Sequence, residues 1–118
     1  MRAIIKRAGF LPEEVILSER DTLKATQAAV GGHIEMAFCL PSHEEGYTVD
    51  VYCNEEGRLR GLPLNILNPR TGDVIVGDVI AVRGDPEGNT VDLTDLEVRA
   101  MLRVLTAASP LDDLLEGN

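Results

Sequence analysis

Few residues of this 118-residue chain are placed to do chemistry. His33, Cys39, His43 and Cys53 are its soft metal-ligand candidates. Structural zinc favours close pairs such as C-x₂₋₄-C, because neighbouring ligands close a tetrahedron on one turn. No such pair exists, so no metal is expected. A serine or cysteine nucleophile needs a positioned base, and the only two histidines fall at a strand start and in a loop. Neither a G-x-S-x-G elbow nor a phosphate-cradling G-x-x-x-x-G-K-[ST] loop is present. Glu13-Glu14, Glu44-Glu45 and Glu55-Glu56 fall in predicted turns, where solvated charge is expected. Asp85, Glu87 and Asn89 have the start of a calcium loop, but the sixth-position glycine and terminal glutamate are missing. The expectation is a protein without catalytic residues, metal or cofactor.

One stretch stands apart: CNEEGRLRGLPLN, residues 53–65. Arginine forks favour carboxylates and phosphates, and irregular loops often carry binding groups. Arg58, Arg60 and Asn65 are therefore the candidate residues for binding a ligand or partner. Gly57 is expected at positive φ in a turn, and Gly61 at a close backbone approach. Pro63 would hold an extended segment, with Leu59, Leu62 and Leu64 pointing inward. Alternation about Leu59 would then aim both guanidinium groups to one side. The competing reading makes the stretch a structural corner in which the arginines only neutralise Glu55 and Glu56.

The bulk properties narrow the partners. With 11 Lys and Arg against 20 Asp and Glu, the formal net charge is −9. Such a balance repels phosphate backbones, whose binding relies on Lys and Arg. Phe10, Phe38, Tyr47 and Tyr52 are the only aromatics, a poor platform for stacking bases. Direct nucleic-acid binding is not expected. Acidity either keeps a small protein soluble or imitates DNA, and the interspersed Lys and Arg favour the former. The start, MRAIIKRAGF, lacks the apolar run of a secretory signal, and no stretch approaches the roughly 20 apolar residues of a membrane span. A cytoplasmic protein without membrane contact is expected, with both cysteines free and buried.

Residues 2–8 and 11–19 read as a strand hairpin. Residues 18–32 read as a helix with Asp21 as N-cap and Gly31-Gly32 as stop. HIEMAFCL (33–40) and YTVDVYC (47–53) alternate as two strands, with Ile34, Met36, Phe38 and Leu40 on one face. The simplest register sets Leu40 opposite Tyr47 and Ile34 opposite Cys53, which keeps the cysteines apart. VIVGDVIAVRG (74–84) is strand-like, with a bulge or break at Gly77-Asp78. TDLE (94–97) is a capping box. With Leu93 and Val98 as staple, it predicts a helix from Thr94 to Ala107. The fold expected is α+β: a single-domain antiparallel sheet with two helices packed on one face. The domain would span residues 1–108, and residues 109–118 would form an acidic C-terminal tail.

GGHIE (31–35), CNEEGRLRGLPLN (53–65) and DVIVGDVIAV (73–82) together resemble an uncharacterised domain family of phages, prophages and plasmids. Its members carry a G-G-Y-I-E-like strand, a C-N-E-E-G-K-L-K-G-L-P-x-N motif and a D-x-I-x-G-x-x-x-I motif. The match covers most of residues 1–105, with His33 replacing Tyr and Arg58 and Arg60 replacing Lys. The resemblance implies a setting rather than an activity: small accessory proteins of mobile elements. The expected function is non-enzymatic binding of a host or phage protein, with room for a homo-oligomer. One alternative is a sponge for a small anionic nucleotide ligand, held by Arg58, Arg60 and Asn65. The other is an acidic DNA mimic that inhibits a host nucleic-acid enzyme.

Overall fold

A computed structural model describes residues 1–115; residues 116–118, the end of the expected acidic tail, lie outside the described residues. The fold is α+β, as the sequence predicts. β1 (Arg2–Lys6), β2 (Glu13–Ile16), β3 (Ile34–Pro41), β4 (Thr48–Asn54), β7 (Val79–Gly84) and β8 (Thr90–Val91) form one antiparallel sheet. Its order is β2-β1-β7-β4-β3, with β8 paired to β7. β5 (Leu64–Leu67) and β6 (Val74–Val76) form a separate two-stranded hairpin. The helices are α1 (Thr22–Val30), α2 (Asp95–Ala107) and the short α3 (Leu111–Leu115). None is long and apolar enough to cross a membrane.

The two main helices lie on opposite faces of the sheet, not on one. Ala3, Ile5, Ile80 and Val82 pack with Val30 of α1. Ile4, Val51, Val79 and Ala81 pack with Val98, Met101 and Leu105 of α2, and with Ile66 and Ile75 of the β5–β6 hairpin. The reason lies in β1 and β7. Each carries consecutive apolar residues, and a strand apolar on both sides needs cover on both sides. Val79, Ile80, Ala81 and Val82 are all buried.

Both helix ends follow their local signals. Asp21 Oδ1 accepts from the Lys24 N–H at 3.0 Å. Gly31 closes α1 at φ 78° and donates to the Gln27 carbonyl, a left-handed cap that suits glycine. The Thr94 hydroxyl accepts from the Glu97 N–H, and Glu97 Oε1 accepts from the Thr94 N–H at 2.8 Å, completing the capping box. The strand-like run 74–84 breaks into β6 and β7 at Gly77-Asp78.

The β3–β4 hairpin departs from the simplest register. Leu40 faces Val49 and Ile34 faces Asn54, with an irregularity between Met36 and Phe38. The extra residue, Ala37, rotates the strand by one position and sends later side chains to the other face. Ile34 therefore packs with the α1 side, whereas Phe38 joins the α2 side. Cys39 stands opposite Asp50 and Cys53 opposite Glu35, and both thiols are free.

Past Ser109 the chain turns into α3. Lys6 is fully buried, and its Nζ donates to Asp113 Oδ2 at 2.9 Å, which ties α3 to β1.

Candidate functional site

The site grows from the end of β4. Asn54 is buried; its amide donates to the Val30 carbonyl at 3.2 Å and its Oδ1 accepts from the Glu56 N–H at 2.8 Å. That pin starts a wound segment rather than an extended one. Arg60 N–H bonds the Glu56 carbonyl (2.9 Å), Gly61 N–H the Arg58 carbonyl (3.1 Å) and Leu62 N–H the Gly57 carbonyl (2.9 Å). The two glycines exchange the roles expected of them. Gly61 carries the positive φ, 66°. Gly57 permits close approach: a Cβ there would lie 2.9 Å from Val76 Cγ2 and 3.3 Å from the Asn54 carbonyl oxygen.

Winding separates the candidate residues. Side chains two positions apart on a helical turn diverge by about 200°, whereas on a strand they align. Arg58 Nη2 donates to the Val74 carbonyl at 2.8 Å, on the β6 side. Arg60 Nη1 donates to the Gly31 carbonyl at 3.1 Å, at the end of α1. Neither arginine pairs with Glu55 or Glu56. Asn65 is 0% exposed and serves the core. Its amide donates to the carbonyls of Lys6 (2.7 Å) and Gly77 (2.8 Å), and its Oδ1 accepts from Lys6 Nζ (2.8 Å). Arg58, Arg60 and Asn65 thus do not converge on one ligand.

The same winding reverses Leu59. Instead of packing inward it is 89% exposed, while Met36, Leu64, Leu67 and Val74 are each 43–48% exposed. Ile66 and Ile75 turn into the core, which leaves Leu67 and its cross-strand partner Val74 on the outer face of the hairpin. On one side Val74 lines a cleft of about 270 Å³ with Met36, Leu59, Cys53 and Arg58. Glu35, Glu55 and Asp73 also line that cleft. On the other side Leu67 lines a groove of about 570 Å³ with Leu64, Val104, Ala107 and Pro110. The hairpin links the two into one apolar band. Only Leu59 and Leu64 of the band belong to the 53–65 stretch; its sequence signal was a large aliphatic residue wedged between two arginines beside a turn.

The 68–73 turn closes the sheet edge next to this band. Asn68 Nδ2 donates to the Ala37 carbonyl at 3.2 Å and Arg70 Nη1 to the Cys39 carbonyl at 3.0 Å. Such capping blunts an edge strand against pairing with other chains.

Other reactive groups are held quiet. Burial, then the nearby Glu35 charge, pushes the Cys53 thiol up; burial, then a hydrogen bond with Asp50, pushes Cys39 up. Raised thiols make poor thiolates. Ser42 and His43 sit beside Glu97, but the Ser42 hydroxyl donates to the Glu97 carboxylate and stands 3.5 Å from His43 Nδ1. Glu97 also accepts from the Thr94 N–H and, through Oε2, from Arg83 Nε at 3.1 Å, with Oε1 2.8 Å from the same nitrogen. The arrangement pins the 42–47 loop to α2, with the Arg83 guanidinium stacked 3.9 Å from the Tyr47 ring centre. Among the described residues no three His, Cys, Asp or Glu side chains gather to hold a metal ion.

Comparison with known proteins found no match among curated proteins or solved structures. A family model described as a domain of unknown function, DUF3846, matches residues 1–106, which takes in α1, both sheets and α2 up to its penultimate residue. The chain belongs to the DUF3846 family.

Proposed function

We propose that this protein is a small, non-enzymatic accessory protein of a phage, prophage or plasmid, acting in the cytoplasm by binding a host or phage protein. The observation that carries this reading is the exposed apolar band. Monomeric surfaces scatter single hydrophobic residues, whereas a joined patch rimmed by polar groups marks an interaction site. Here four large apolar side chains, Leu59, Leu64, Leu67 and Val74, lie around one hairpin and its adjoining turn. The nucleotide-sponge reading loses its support, because Arg58 and Arg60 bond carbonyls on different elements and Asn65 is buried.

Affinity capture from the host, read by mass spectrometry, tests this. The double change Leu59→Asp, Leu67→Asp places charge on the band without touching the core. It is expected to reduce capture of the partner at least about tenfold, as loss of interface anchors does. Arg60→Ala, on the α1 side of the turn, should leave capture intact. Undiminished capture by the leucine double variant would refute the proposal.

A further inference from the structure

The cleft between β3, the 55–61 turn and β6 has a charge pattern that specifies its occupant more narrowly. Leu59 and Val74 are its exposed apolar side chains, with Ala37 and Cys53 on its floor; Met36 borders it through β3, its side chain sharing the other face with Ile34 and Tyr52. Glu35, Glu55 and Asp73 line it too, and their carboxylates form no ion pair or hydrogen bond within the described residues. Glu13, Glu14, Glu44, Asp95, Glu97 and Asp113 are each matched with a cation of the chain; Glu45, Glu56 and Glu87 are likewise unmatched within the described residues, but they do not line the cleft. Among the described residues the one cation lining the cleft is Arg58, already bonded to the Val74 carbonyl. Three unmatched carboxylates therefore outweigh one engaged guanidinium, on a protein whose net charge is −9.

We propose that the cleft receives a basic segment of the protein partner: an aliphatic or aromatic side chain flanked by Lys or Arg. This rests on the protein-binding reading above and adds the chemistry of the partner. The apolar side chain would sit between Leu59 and Val74, and the flanking cations would meet Glu35, Glu55 and Asp73. Opposed potentials of this kind steer encounter and reject like-charged competitors. An anionic ligand would face the three carboxylates. Recognition runs through side chains rather than strand addition, because Asn68 and Arg70 already occupy the β3 carbonyls of Ala37 and Cys39.

The test uses the full chain, ¹⁵N-labelled, titrated with two probes: a short alternating Lys–Leu peptide and its Glu–Leu counterpart. The Lys–Leu peptide is expected to shift the amides of Met36, Leu59 and Val74. The triple change Glu35→Gln, Glu55→Gln, Asp73→Asn should weaken it at least fivefold. The control pair Glu45→Gln, Glu87→Gln, which neutralises exposed charge elsewhere, should have a smaller effect. The Glu–Leu peptide should not bind the cleft. Equal binding of both peptides, shifts confined to other surfaces, or a triple variant no weaker than the control would overturn the inference. The captured partner separates the two levels. Loss of capture with Leu59→Asp, Leu67→Asp but not with the triple variant would leave protein binding standing and remove the basic segment.

Discussion

Replacing Asn65 with leucine is expected to cost about 3–5 kcal/mol of folding stability, although leucine shares its branching and heavy-atom count and suits a buried site. Asn65 is fully buried and makes three hydrogen bonds, two to carbonyls and one from the Lys6 ammonium. Leucine would strand the Gly77 carbonyl, take one partner from the Lys6 carbonyl, which β7 also faces, and remove one of the three acceptors of a buried cation. The other two are Asp113 and the Arg7 carbonyl. An unpaired buried polar group costs about 1–3 kcal/mol, more when charged. Native domains have a total stability of only about 5–15 kcal/mol, so the effect should dominate a denaturant titration. A loss below about 1 kcal/mol would mean that Asn65 does not hold this cage.

Glu97→Gln should cost about 2–4 kcal/mol at neutral pH, since removing one member of a buried ion pair leaves the other undercompensated. Arg83 and Glu97 are both nearly inaccessible, and Glu44 compensates Arg83 from a half-exposed position. The cost should also depend on pH. Burial pushes the Glu97 carboxyl up, but hydrogen bonds from Ser42, Thr94 and Arg83 outweigh it and hold the group below its ordinary value. A carboxyl lowered on folding contributes stability above its unfolded pKa, about 4.3. That contribution is lost as the pH falls through the lower folded value. The gap between wild type and Glu97→Gln should therefore be full at pH 6–7 and shrink progressively below about pH 4. Paired urea titrations at pH 7 and pH 3 check this; a gap that does not narrow in acid would contradict the assignment.

The parts of the fold that were legible in the sequence are those encoded by neighbouring residues. Asp21 and Gly31 bound α1, TDLE caps α2, and Gly77-Asp78 breaks the last long strand, because each signal acts within a few residues. The placement of the helices was also written in the chain, in Ile4-Ile5 and in Val79 through Val82. Consecutive apolar residues demand cover on both faces, a two-sided signal that a one-faced sandwich leaves unmet. The Ala37 irregularity left no mark, since Ile34, Met36, Phe38 and Leu40 alternate without interruption. The candidate residues lie apart for a specific reason. Arg58, Leu59 and Arg60 fit strand alternation as well as a helical turn, and only the winding sends Leu59 to solvent. Asn65 looked like a binding group because its partner Lys6 lies 59 residues away in sequence.

The most direct measurement is hydrogen–deuterium exchange on the protein alone and in complex with its captured partner. The account predicts new protection in the 57–76 segment and around Met36, with α1 and β2 unchanged. Protection confined to α1, β2 or the β7–β8 turn, with the 57–76 amides exchanging as in the free protein, would contradict it.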